Sequence, residues 1–127
     1  MGKNVLLADD DETVRTLLRI VLEKNGLTVT TAEDGREALD LIRRQRPDLI
    51  LLDLKMPRLN GYQLFTELKS DEALKSIPII VITGLTRESE REDEEWARRM
   101  GAEGFLTKPF TPDELGRSVQ EIIGRLM

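Results

Sequence analysis

The sequence predicts an α/β protein: a doubly wound parallel sheet with helices on both faces. Two observations carry this. Short unbroken apolar runs, each halted by a polar residue, stand at residues 5–8, 49–52 and 79–82, as expected of strands buried on both faces. Between them, apolar residues recur at helical spacing, and strands joined through helical crossovers pair in parallel.

The elements follow in order. The first strand, at 5–8, stops at three aspartates, Asp9 to Asp11. Val14, Leu17, Leu18, Val21 and Leu22 then mark one face of a helix, and Gly26 stands where such a helix ends. Residues 27–31 alternate apolar and polar, as in an edge strand. Asp34-Gly35 opens a second helix, with Ala38, Leu39 and Ile42 inside, which Pro47 closes. The run at 49–52 ends at Asp53. A loop with Pro57 and Gly61 leads to a helix bearing Leu64, Phe65 and Leu68. The run at 79–82 ends at Thr83-Gly84. A very polar helix is read from about residue 90 to 100, with Trp96, Ala97 and Met100 as a core stripe and the charge run at 88–95 as a solvated face. Phe105-Leu106 is a short last strand ending at Lys108-Pro109. Thr111-Pro112-Asp113-Glu114 is a helix start, and Leu115, Val119, Ile122, Ile123 and Leu126 are its buried face.

Three strong central strands and two weaker edges fit the order 2-1-3-4-5, the flavodoxin-like (βα)5 arrangement. The length of 127 residues fits one domain, residues 1–127. Cysteine and histidine are both absent, which excludes disulfides, thiolate metal sites and histidine chemistry carried by this chain. The net charge is −5 with no basic cluster, and five aromatics are scattered, so direct nucleic-acid binding is not expected. No apolar run is long enough to span a membrane, and no secretory leader is read. A cytoplasmic location is therefore expected.

In such a sheet, sites form at the strand C-termini. Asp9, Asp10, Asp53, Thr83 and Lys108 all fall there. Two carboxylates ~4 Å apart repel by about 4 kcal/mol at an effective dielectric of about 20. Three therefore call for a counter-charge, or for one of them to stay protonated. An all-oxygen donor set favours Mg²⁺. Carboxylates, metal, lysine and a hydroxyl around one point suit phosphoryl transfer, with an aspartate as nucleophile. Asp11 reads instead as a helix cap. Thr83 or Lys108 alone would count for little; their joint placement is the signal.

The segments LLADDDETVR, LLDLKMPRLNGYQL, IIVITG and GFLTKPF, in that order, carry a specific likeness. From residue 3 to about 126 the chain resembles the response-regulator receiver domains of bacterial two-component signalling. The resemblance implies Asp53 as phosphoacceptor. It implies Mg²⁺ bound directly by Asp10, more loosely by Asp9, and by Asp53 and the Lys55 carbonyl. Thr83 would bond a phosphoryl oxygen. Lys108 would pair with the phosphate, and before that with Asp53, and its bond to Pro109 would be cis. Phe105 would be the aromatic switch partner of Thr83, with Gly84 leaving room for the movement. The fourth helix, fifth strand and fifth helix would change on phosphorylation. Implied partners are a sensor histidine kinase or histidine phosphotransfer protein and a downstream effector, with the chain a monomer or a weak phosphorylation-dependent dimer. It would not be a turnover enzyme.

Three departures stand out. The segment between Thr83 and Lys108 is longer than in many members, which predicts a longer or shifted fourth helix. Phenylalanine stands at 105 where tyrosine is commoner. Lys55 and Leu85 occupy positions that tune dephosphorylation and would shield the acyl phosphate, giving a slow loss. A rival reading is a haloacid-dehalogenase-type phosphatase, since Asp9-Asp10-Asp11-Glu12-Thr13 spells that family's D-x-D-x-T. It requires a longer chain, places its metal-binding acid after its lysine, and leaves the segment 56–61 without a role. A partner-binding scaffold that is never phosphorylated is opposed by the intact acidic set. A calcium EF-hand is excluded by the missing loop glycine and by Ile20 at the terminal glutamate position.

Overall fold

The computed structural model describes residues 3–56, 58–83, 87–108 and 111–126, of which 83, 87–90, 115, 119, 122, 123, 125 and 126 are described by their backbone alone. Strand β1 (Asn4–Ala8) feeds helix α1 (Glu12–Lys24), and the pattern repeats as β2 (Thr28–Ala32), α2 (Gly35–Arg44), β3 (Leu49–Asp53), α3 (Gly61–Ser70), β4 (Ile79–Thr83), α4 (Arg87–Met100), β5 (Gly104–Thr107) and α5 (Pro112–Leu126). The five strands are parallel in the order β2-β1-β3-β4-β5. This is the doubly wound arrangement the alternation predicted.

Successive residues of a strand face opposite ways, so each central strand feeds two cores. Leu6, Ala8, Ile50 and Leu52 pack with Ala38, Leu39 and Ile42 of α2, Leu64, Phe65 and Leu68 of α3, and Ala97 of α4. Val5, Leu7, Leu49 and Leu51 face Leu18, Val21 and Leu22 of α1, together with Ile80, Ile82 and Leu106. Helix α5 runs beside α1, and Gln120 Nε2 donates to Asn25 Oδ1 at 3.1 Å. Burying each such aliphatic side chain contributes about 1.5–3 kcal/mol, which is why β1 and β3 read as unbroken apolar runs.

The helix starts are fixed by side chains. Asp11 Oδ1 accepts from the Thr13 and Val14 amides, capping α1 as the sequence implied. Asp34 Oδ1 accepts from the Glu37 amide at α2. Asn60 and Gln63 form a reciprocal capping box at α3 that the sequence reading overlooked. Gly26 follows α1 with φ +81°, a left-handed conformation that costs glycine little.

Several strand ends lie one residue from expectation, and one helix start lies further off. Strand β2 ends at Ala32 rather than residue 31. Helix α4 starts at Arg87, earlier than residue 90, and has 14 residues. Of the described residues between Thr83 and Lys108, 87–100 are helix and 104–107 are strand. The charge run hid the start, because an apolar stripe is visible only from Trp96 onward. Leu74 and Ile77 are also buried, on the turns linking α3 to β4, a contribution to the core that no periodicity revealed. The expected buried face of α5 (Leu115, Val119, Ile122, Ile123 and Leu126) lies outside the described side chains.

Leu51, in the middle of β3, is 1% exposed. Leu51→Ala is expected to cost about 2–5 kcal/mol. A urea unfolding curve should show the midpoint falling with the slope unchanged.

Candidate functional site

The sheet delivers its polar residues to one edge. Asp9 follows β1 immediately, and its amide donates to Ala32 O at 3.1 Å, continuing the β1–β2 pairing by one residue. Asp53 is the last residue of β3. Lys108 comes just after β5. Thr83 ends β4, in register with Thr107 of β5, so its backbone stands at the same edge.

Asp9, Asp10 and Asp53 each offer a carboxylate oxygen within 4.8 Å of the other two. Asp9 and Asp53 are buried while Asp10 is exposed. The Lys108 ammonium lies 3.0 Å from Asp9 Oδ2 and 3.4 Å from Asp53 Oδ2. Asp9 Oδ1 accepts from the Asp11 amide at 2.8 Å, and Asp53 Oδ1 from the Lys55 amide at 3.0 Å. Asp9 Oδ2 is fully buried, and the Lys108 ammonium stands 3.0 Å from it. Arg15, one turn into α1, donates to Asp9 O at 2.8 Å. This support is missed in the sequence because Arg15 reads as an ordinary exposed-face cation.

One ammonium thus faces two buried carboxylates with a third beside them. Burial, then the neighbouring Asp9 charge, raises the Asp53 pKa to about 7, against the opposing pull of the Lys55 amide and Lys108. Burial likewise raises Asp9. For Lys108, burial lowers the pKa, but the Asp53 and Asp9 charges outweigh it and the net shift is upward. A hard divalent cation fits this set, since it takes oxygen donors alone and three carboxylates here face one ammonium.

The loop after β3 is held tightly. Leu54 and Met56 turn into the core on either side of Lys55, leaving the Lys55 backbone beside Asp53. A Cβ on Gly61 would lie 2.3 Å from Asp53 O and 2.4 Å from Leu54 Cα, so only glycine lets α3 start against the end of β3. Arg58, at φ +60°, donates from Nε and Nη2 to Asp34 Oδ2 at 3.0 and 2.5 Å. The pair ties the loop to the start of α2. The Asp34 carboxyl is held below its usual range, first by the Glu37 amide and also by Arg58.

With Asp53 unmodified, the Lys55 side chain reaches toward α3. Its ammonium donates to Tyr62 Oη at 2.9 Å and lies 5.0 Å from that ring's centre. The tyrosine hydroxyl raises the Lys55 pKa. Phe105 is half-buried, with the Arg98 guanidinium 5.5 Å from its ring centre. Asp11 is occupied as a cap, so the D-x-D pair of the phosphatase reading does not share one crevice. Gly84, Leu85, the Lys108–Pro109 bond and the Thr83 side chain lie outside the described residues.

A native carboxyl with a raised pKa holds its proton more tightly than the unfolded chain does. Its ionisation therefore costs stability as the pH climbs from the ordinary value near 3.8 to about 7, and the cost is fully present above that. In metal-free buffer, Asp53→Asn is expected to raise the thermal midpoint at pH 8 by roughly 5 °C. The advantage should vanish at acid pH, where both side chains are neutral. A difference that stays flat across this range would contradict the assignment.

Comparison with known proteins agrees with this architecture. The response-regulator receiver domain family matches residues 5–120. Protein PilH of Pseudomonas aeruginosa is 36% identical over 119 residues, covering 94% of this chain and 96% of PilH. The polar-differentiation response regulator DivK of Brucella anthropi is 34% identical over 98% of both chains. The Bacillus subtilis regulator of alkaline phosphatase synthesis, PhoP, is 38% identical over 98% of this chain, which spans only 50% of that protein. Among solved structures, the chemotaxis response regulator CheY4 of Vibrio cholerae superimposes with a TM-score of 0.84 at 30% identity, covering 96% of this chain and 99% of that one. The Francisella response regulator 1452 receiver domain gives 0.82 at 33%, covering 99% and 100%. A parallel five-stranded sheet carrying buried aspartates and a lysine at one edge, and a family match along nearly the whole chain, lead to one conclusion: this chain belongs to the response-regulator receiver family of two-component systems.

Proposed function

We propose that the chain accepts a phosphoryl group on Asp53 and passes the change in charge to a downstream protein. The observation that carries this reading is the crowding of Asp9, Asp10 and Asp53 against the single ammonium of Lys108. The Asp53 carboxylate would attack phosphorus, and the bond to the donor's leaving group would break as the acyl phosphate forms. The leaving imidazole, or acetate from a small donor, would carry away the electron pair. With no histidine among these 127 residues, a phosphohistidine donor would lie outside them, on a sensor kinase or a histidine phosphotransfer protein.

Asp9, Asp10, Asp53 and the Lys55 carbonyl would hold Mg²⁺, which supplies positive charge against the phosphoryl oxygens. Lys108, already between Asp9 and Asp53, would offset part of the added −1.5 to −2 charge (about). The Thr83 hydroxyl would take a phosphoryl oxygen, and Phe105 would respond to that move. The face of α4, β5 and α5 would then favour a second arrangement read by an effector. Among the described residues no helix is long and apolar enough to cross a membrane.

Incubation with acetyl phosphate and Mg²⁺ should add the mass of one phosphoryl group in an alkali-labile linkage. Asp53→Asn should abolish the adduct. Lys108→Ala should slow its formation by roughly 10²-fold. An adduct that survives in Asp53→Asn but is lost in Asp9→Asn would overturn this reading in favour of the phosphatase-like one.

A further inference from the structure

Beyond the acidic pocket, one polar chain, running from the exposed Lys55 to the buried Asp93, has no role so far. Lys55 Nζ donates to Tyr62 Oη at 2.9 Å, and Tyr62 Oη in turn donates to Asp93 Oδ1. These residues belong to three separate parts of the fold: the loop after β3, the first turn of α3, and the middle of α4. Asp93 is 5% exposed. It is the one buried carboxylate among the described side chains of α4, a helix otherwise crowded with solvated charge. A buried carboxylate is costly without a donor, so the Tyr62 hydroxyl is what lets this stretch of α4 lie against α3. Trp96, one turn further on, packs edge-on to Tyr62 at 5.0 Å and to Phe65 at 5.3 Å between ring centres.

The far end of the chain meets the site. Lys55 is two residues past Asp53, and its amide donates to Asp53 Oδ1. Its ammonium is on an exposed, flexible side chain, free to choose between two acceptors. At present the nearer one is the neutral tyrosine hydroxyl. A group carrying about −1.5 to −2 charge on Asp53 is a far stronger attractor for an ammonium than a phenol is.

We infer that Lys55, Tyr62 and Asp93 form a charge-sensing latch through which the phosphorylation state of Asp53 sets the seating of α4. The inference rests on Asp53 being the phosphoacceptor. With Asp53 unmodified, Lys55 donates to Tyr62 and Tyr62 to Asp93, which holds α4 against α3. With Asp53 phosphorylated, Lys55 turns to the phosphoryl oxygens and leaves the Tyr62–Asp93 bond without its cationic neighbour. The seat of α4 loosens at Asp93, and Trp96 changes its surroundings. This route runs through α3 and is separate from Thr83 and Phe105 on β4 and β5.

The chain contains one tryptophan, so its fluorescence reports this place alone. Wild-type protein is treated with acetyl phosphate and Mg²⁺, the adduct is quantified by intact mass, and Trp96 emission is recorded on the same sample. Tyr62→Phe keeps the ring against Trp96 and removes both hydroxyl bonds. The double variant Tyr62→Phe/Asp93→Leu removes the buried acid as well, so that no polar group is left unpaired. The latch predicts that wild-type emission shifts on phosphorylation. It also predicts that both variants form the adduct to the wild-type extent but lose more than half of the shift. Variants that keep the full shift at equal adduct would overturn the latch and leave the phosphoacceptor reading standing, as would a wild-type protein that is phosphorylated with no change in emission. Absence of any adduct in wild type would overturn both.

Discussion

Excess negative charge held at one end of an apolar sheet is the constraint on which the rest of this molecule depends. Asp9 and Asp53 are out of water, Asp10 is beside them, and the Lys108 ammonium is the cation between the two buried acids. Such a pocket is poised. Burial and the Asp9 charge raise the Asp53 pKa to about 7, and the pocket has oxygen atoms to spare for a cation. Folding alone would not select this arrangement, since uncompensated buried charge costs stability. Its presence points to use, in keeping with the clustering of perturbed groups at functional sites.

The sheet is what makes the pocket affordable. β1 and β3 lie at its centre and are apolar on both faces, so the polar residues that end them are carried to the same level by parallel pairing. Close backbone approaches then hold the surrounding loop. Gly61 lets α3 begin against Asp53, and Gly35 lets Leu59 O come where a Cβ would lie only 1.8 Å away. The Arg58–Asp34 pair closes the same loop from outside. Arg58 is largely exposed, so its pairing adds orientation more than stability. The result places the Lys55 backbone beside Asp53 while leaving its side chain to reach α3.

Much of the candidate site was legible because the chemistry sits at strand ends. An apolar run that stops at aspartate announces both a buried strand and the residue at its tip. Asp9, Asp53 and Lys108 do meet in space, and Asp11 caps α1. What escaped notice had no period. The Lys55–Tyr62–Asp93 chain joins residues far apart in sequence, and Asp93 is indistinguishable by composition from its solvated neighbours on α4. The first turns of that helix were hidden for the same reason: a start made of charged residues shows no stripe. Lys55 was read from its position as a shield of the acyl phosphate; with Asp53 unmodified its ammonium is directed by Tyr62, seven residues on at the start of α3.

By itself, the amino-acid order determined the class of fold, the strand succession, the helix caps at Asp11 and Asp34, and the set of residues at the sheet edge. These follow from local periodicity and from side chains that bond their own backbone. Only the tertiary structure decided which ammonium faces which carboxylate, which acid on α4 is buried, and how closely glycine lets two segments approach. Those outcomes depend on distances between residues remote in the chain, and burial converts an ordinary lysine–aspartate or tyrosine–aspartate pairing into one with consequences for charge.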